Sequence, residues 1–195
     1  MEYVYLSQWK TDNITDEYRV DDFSSFSGSW KLKKGKSLVD SWSADEKVSV
    51  SEDDFGPYNE NQDLIKGFGG LLVSDRLKKI LEFEVGDQVE LLPVSIVGQE
   101  AKLYVLNVLS KVDFIDYDNT EHRPDTTDPN KVKKVTDTTL TIKPENVNDV
   151  QIFRDSKYNE AIFIEKSLAE RLKEAEVVGF EFRDVSDFDR FDILQ

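Results

Sequence analysis

The chain has 195 residues, 38% hydrophobic and 33% charged, which is too much apolar material for disorder and enough for one domain with a full core. A formal net charge of −15 opposes binding to nucleic acid or to an anionic membrane surface, and suits a basic protein partner. There is no cysteine, so disulfides and thiolate sites are excluded, and no apolar run is long enough to cross a bilayer. Met1–Leu6 lacks the basic start and apolar segment of a signal peptide, so the expected location is cytoplasmic.

Tyr3 and Tyr5 alternate with Val4 and Leu6, which predicts a first strand. Residues 11–30 read as irregular chain pinned by Phe23, Phe26 and Trp30. Short strands are expected near Ser37–Asp40 and Lys47–Val50. Asp45–Asp63 carries seven acidic residues against Lys47 alone, and reads as an exposed loop.

The most apolar stretch, Gly69–Ile115, should form the core. Leu71, Leu72 and Val73 predict a buried strand. Ser74 is placed to cap a helix to Phe83 that presents Leu77, Ile80 and Leu81 on one face. From Gln88 to Val97, Leu92, Val94 and Ile96 alternate while Val89 and Leu91 fall on the other phase, which predicts a bulge near Pro93. Gly98-Gln99 fits a hairpin turn. The return strand Ala101–Leu109 is apolar on both faces and should be central, with Asn107 a buried amide that satisfies backbone.

Residues 118–130 read as a long surface loop. Short strands follow near Val135 and Leu140–Ile142, and Pro144 opens a single helical turn. Gln151–Arg154 and Ala161–Ile164 read as strands. Ser167 and Glu170 match a capping box for a helix that presents Leu168, Leu172 and Ala175, and Val177–Phe182 returns as a strand. The order strand, Ser-capped helix, strand therefore occurs twice, in Leu71–Val94 and in Ile162–Val185.

No catalytic constellation emerges from the residues. His122 is the only histidine and makes a poor zinc site alone. Asp116 and Asp118 match the D-x-D-x-T of the haloacid-dehalogenase phosphatases, where the first Asp attacks phosphorus beside Mg²⁺. That chemistry needs a parallel sheet with crossover helices, and the element order here is rich in hairpins. No Gly-rich phosphate loop has the required spacing.

Leu72-Val73-Ser74-Asp75-Arg76-Leu77-Lys78, with Val89-Glu90-Leu91-Leu92-Pro93-Val94, gives a strand, a Ser-x-x-Leu helix and an E-x-x-P-V strand. Tyr104–Leu109 with Val112–Asp116 gives Y-x-L-N-V-L-x-x-V-D-x-I-D. With Ile152–Arg154, Ala161–Ile164 and the Leu168–Gly179 helix, these resemble family eleven of the bacterial polymorphic-toxin immunity proteins. The resemblance covers residues 67–182. It implies a non-enzymatic cytoplasmic protein, without cofactor or metal, that binds and neutralises a cognate toxin. The fold expected is α+β, with a mixed, largely antiparallel sheet and two or three short helices. Residues 1–63 are expected to form an N-terminal extension or small lobe, and 64–195 the main domain. A basic toxin would be met at Asp53, Asp54, Asp116, Asp118 and Glu121. The alternatives are a Mg²⁺-dependent phosphatase using Asp116 and Asp118, or an adaptor for another protein.

Overall fold

Ser74 ends a strand and begins a helix, and the first half of the molecule is built outward from it. In the computed structural model, which describes residues 2–8, 19–20, 29–43, 47–48, 62–67, 70–97, 102–136, 139–189 and 193, strand β5 (Gly70–Ser74) is buried along its whole length. Ser74 stays extended while its Oγ accepts from Leu77 N–H at 3.1 Å, so it satisfies a donor that the first turn leaves free. Helix α1 (Asp75–Glu84) then buries Leu77 and Leu81, each contributing about 1.5–3 kcal/mol of transfer free energy.

The chain returns in β6 (Val89–Ile96) and β7 (Lys102–Val108). β7 lies between β5 and β6, antiparallel to both, as its two apolar faces require. Outside β5 come β4 (Leu64–Gly67), antiparallel to it, and β2 (Arg19–Val20), parallel to β4. Strand β3 (Lys47–Val48) runs parallel to the end of β6. The sheet order is β2-β4-β5-β7-β6-β3.

A second sheet repeats this plan. It contains β1 (Tyr3–Gln8), β8 (Lys111–Val112), β11 (Ile152–Asp155), β12 (Ile162–Glu165) and β13 (Phe180–Asp184), with helix α2 (Lys166–Glu174) between β12 and β13. Its order is β13-β1-β12-β11-β8. Here β1 fills the gap between β12 and β13, antiparallel to both, as β7 does in the first sheet. β11 is antiparallel to β12, and β8 is parallel to β11, matching β4 and β2. The strand–helix–strand order seen twice in the sequence is thus a five-strand plan used twice. The second copy takes its middle strand from the far end of the chain, so pairings cross the boundary drawn at residues 63 and 64.

Both sheets are covered on both faces. One core joins α1 and α2 to both sheets through Val4, Leu6, Leu71, Val73, Leu106, Ile162 and Leu168. The other face of the second sheet is aromatic: Tyr3, Phe114, Phe153 and Phe163 pack with Phe114 and Phe153 centroids 5.0 Å apart. The other face of the first sheet is covered by Leu32 and Leu38. Neither helix is long and apolar enough to cross a membrane.

Five expectations are corrected. No bulge interrupts β6 among its paired residues: the register runs unbroken from Val89↔Val108 to Ser95↔Lys102. Val89 and Leu91 face the helical core while Leu92, Val94 and Ile96 face Leu32 and Leu38, so both phases are apolar for separate reasons. Pro93 lies outside the two positions that pair with β3, and its carbonyl accepts from Trp42 Nε1 at 2.8 Å. The expected strand near Ser37–Asp40 gives way to a 3-10 turn at Val39–Ser41, with Leu38 buried and its N–H bonded to Glu90 Oε2.

Ser167 does not cap α2. Glu165 still pairs with Tyr3, its N–H donates to Gln151 O, and the helix begins one residue later. Residues 118–130 are a surface segment but not all loop: β9 (His122–Pro124) pairs with β10 (Val132–Val135). Asp63, placed in an exposed loop by its acidic neighbours, is buried. The Gly98-Gln99 turn and the aromatics Phe23 and Phe26 lie outside the described residues.

Candidate functional site

The acidic turn at Asp116–Glu121 is positioned by one buried carboxylate. Asp155, at the end of β11, accepts from the N–H groups of Phe114 and Ile115 at 3.0 and 2.9 Å. Its other oxygen accepts from Tyr117 OH at 2.6 Å and from the N–H groups of Lys157 and Tyr158, each at 2.8 Å. Burial and the Asp155 charge push the Tyr117 phenol far above its ordinary range, so Tyr117 remains a donor. Asp116 N–H donates to Thr141 O at 2.8 Å, and Ile115 bridges to Ile142. The turn is therefore braced from two sides before its own side chains act.

Within the turn, Asp116 is used internally. Its carboxylate accepts from Asn119 Nδ2 at 2.7 Å and from Asp118 N–H at 3.2 Å, and Lys143 Nζ lies 3.5 Å away. These contacts, the Asn119 bond first, hold its carboxyl below the ordinary value. Asp118 and Glu121 are exposed. His122 contacts Thr120 O through Nδ1 at 2.9 Å and packs its ring edge-on against Tyr117. Past β9, Asp125 accepts from Thr127 N–H, Thr127 Oγ1 and Asp128 N–H, which orders the hairpin tip and lowers its carboxyl pKa.

The structure thus brings Asp116, Asp118 and Glu121 onto one ordered turn, while Asp53 and Asp54 lie outside the described residues. The phosphatase reading loses its scaffold, because the sheets are largely antiparallel and β8, just before the motif, is a two-residue edge strand. Among the described residues no group of three or more His, Asp or Glu side chains could hold a metal ion. Two recesses open to solvent flank Glu165: one of 270 Å³ lined by Val147, Asp149, Val150 and Gln151, and one of 320 Å³ lined by Glu2, Lys166, Ser167 and Glu170.

Two surface features escaped the sequence reading. Phe83 on α1 is 87% exposed, although helical spacing alone gave no reason to single it out. The run Lys31-Leu32-Lys33-Lys34-Gly35-Lys36 puts four lysines in six positions of an acidic chain, a compositional signal that was legible.

Two doubled sheets around a shared core, with carboxylates displayed on a braced turn, define an α+β protein whose surface groups are ordered from within. A sequence model of the immunity protein family (Imm11) matches residues 41–187, most of the chain, and the protein belongs to that family. The match extends the resemblance toward the N-terminus, taking in β3 and β4. A search of curated proteins returned no match.

Proposed function

We propose that this protein confers immunity by binding a cognate bacterial toxin in the cytoplasm and blocking it, with no chemistry of its own. Membership of the immunity family carries this reading. The turn bearing Asp116, Asp118 and Glu121 is the proposed contact, joined by Asp53 and Asp54. A net charge of −15 favours encounter with a basic toxin, and a braced turn loses little conformational entropy on binding.

The test is co-expression with the toxin encoded beside it, followed by gel filtration of the purified pair. Rescue of growth and co-elution are expected; a toxin that still kills overturns the reading. For the contact, Asp118→Lys with Glu121→Lys should slow association about tenfold at low salt and flatten its salt dependence. An unchanged salt slope removes these positions from the interface.

A further inference from the structure

Among the described residues of this acidic molecule, positive charge gathers around the turn between β11 and β12. Lys111 stands beside Arg154 in the parallel β8–β11 register. Lys111 Nζ donates to Asn159 Oδ1 at 2.8 Å, and Arg154 Nη1 donates to the main-chain oxygen of the same residue at 2.7 Å. Lys131 Nζ donates to Ser156 O at 2.6 Å. The lysine-rich segment covers the stem of Lys111: Gly35, at φ 62°, sits so close that a Cβ there would stand 2.9 Å from Lys111 Cε.

Among the described residues, the nearby carboxylates Glu160 and Asp155 are already engaged. Glu160 is paired with Lys33 at 2.5 Å. Asp155 is surrounded by the five donors described above. The hydrogen-bond partners of Lys111, Lys131 and Arg154 are neutral oxygens. Arg154 is 5% exposed, and its Nε makes no hydrogen bond among the described residues. Burial first, then Lys131, Arg154 and Lys34, hold the Lys111 ammonium down to about 8, with Asp155 opposing. Burial alone lowers a lysine, and the neighbouring cations lower it further.

We propose that Lys111, Lys131 and Arg154 form a receptor for an oxyanion, a phosphate or a carboxylate. Each lysine ammonium has three donors, and Lys111 and Lys131 each spend one on the turn. An oxyanion takes up the remaining donors and cancels the repulsion among the cations. The oxyanion is either free phosphate or an acidic side chain of a bound protein. In the second case the cation cluster and the acidic turn offer a partner charges of opposite sign, which fix its orientation. That case alone rests on the immunity reading.

The first arm of the test uses the full chain and inorganic phosphate, with no toxin. Lysine side chains are followed by NMR against pH, in phosphate and in chloride of equal ionic strength. Phosphate should move the Lys111 midpoint upward by about one pH unit. Lys131→Gln should remove most of that movement, and Lys111→Arg should keep phosphate binding. An equal midpoint in the two salts, or an unaltered response in Lys131→Gln, overturns the receptor and leaves the cations as braces for the turn. The second arm assigns the source by measuring toxin affinity in the same two salts. A weaker complex in phosphate identifies an acidic side chain of the toxin as the occupant. An equal or tighter complex identifies free phosphate.

Discussion

Ser74 Oγ donates to Asp63 Oδ1 at 2.7 Å while accepting from Leu77 N–H, so one hydroxyl ties the start of α1 to the residue before β4. The other oxygen of Asp63 accepts from Arg76 Nη1 at 2.8 Å and from Val178 N–H at 3.2 Å. Val178 O in turn accepts from the N–H groups of Asp63 and Leu64. The two halves of the molecule are joined at this point. Ser74→Ala should cost about 1–2 kcal/mol in chemical denaturation. Asp63→Ala should cost more, about 2–3 kcal/mol, because it removes charge-assisted bonds to both halves. A smaller loss for Asp63→Ala than for Ser74→Ala would place the effect in the cap alone.

Asp155→Ala should be more severe. It strips the partner from the buried N–H groups of Phe114 and Ile115 and from Tyr117 OH, at about 1–3 kcal/mol for each orphaned group. The expected outcome is loss of folding at 37 °C, seen as loss of near-ultraviolet circular dichroism. A folded variant with a mobile 116–121 turn would show that the turn is separable from the core.

Gly179 has φ 113°, and a Cβ there would stand 2.2 Å from Leu64 O. That oxygen is backbone and cannot swing aside. Gly179→Ala should therefore cost more than the roughly 1–3 kcal/mol of dihedral strain alone. Thermal denaturation measures the difference.

Lys111 sets a test on the alkaline side. Its folded value of about 8 lies below the ordinary 10.5. Across that interval the unfolded chain holds a proton that the folded chain has released, so stability rises with pH through Lys111. Denaturation midpoints should increase from pH 8 toward pH 10, and Lys111→Met should flatten that increase. Asp184 works at the other end: the Ser186 hydroxyl and N–H hold its carboxyl below 3.8, so its contribution is present above that pH and is lost as pH falls further. Carboxyl NMR titration checks the direction.

The sequence was most informative where the cause is local. Ser74 could be read as a cap because cap and helix are neighbours. Leu103–Val108 could be read as central because apolar residues on both phases leave few other places for a strand. Ser167 misled, because the start of α2 is set by the pairing of Glu165 with Tyr3, more than 160 residues away in sequence. Val89 and Leu91 suggested a bulge because nothing local reveals that Leu32 and Leu38 cover the opposite face. Asp63 looked solvated among its acidic neighbours, and only the fold brings Ser74, Arg76 and Val178 to it. In the acidic turn, the D-x-D spacing was visible. The consumption of Asp116 by Asn119 and Lys143 was not, since Lys143 arrives from beyond the β9–β10 hairpin.

The position of Tyr3–Gln8 has a consequence for how the molecule is made. This strand is translated before both of its partners, Ile162–Glu165 and Phe180–Asp184, which follow more than 150 residues later. The half built on Gly70–Val108 can close while translation continues, whereas the other must wait and then span a very long loop. A tag or chaperone-binding segment fused ahead of Tyr3 acts on the last pairing to form, and should slow maturation more than one fused at the other end.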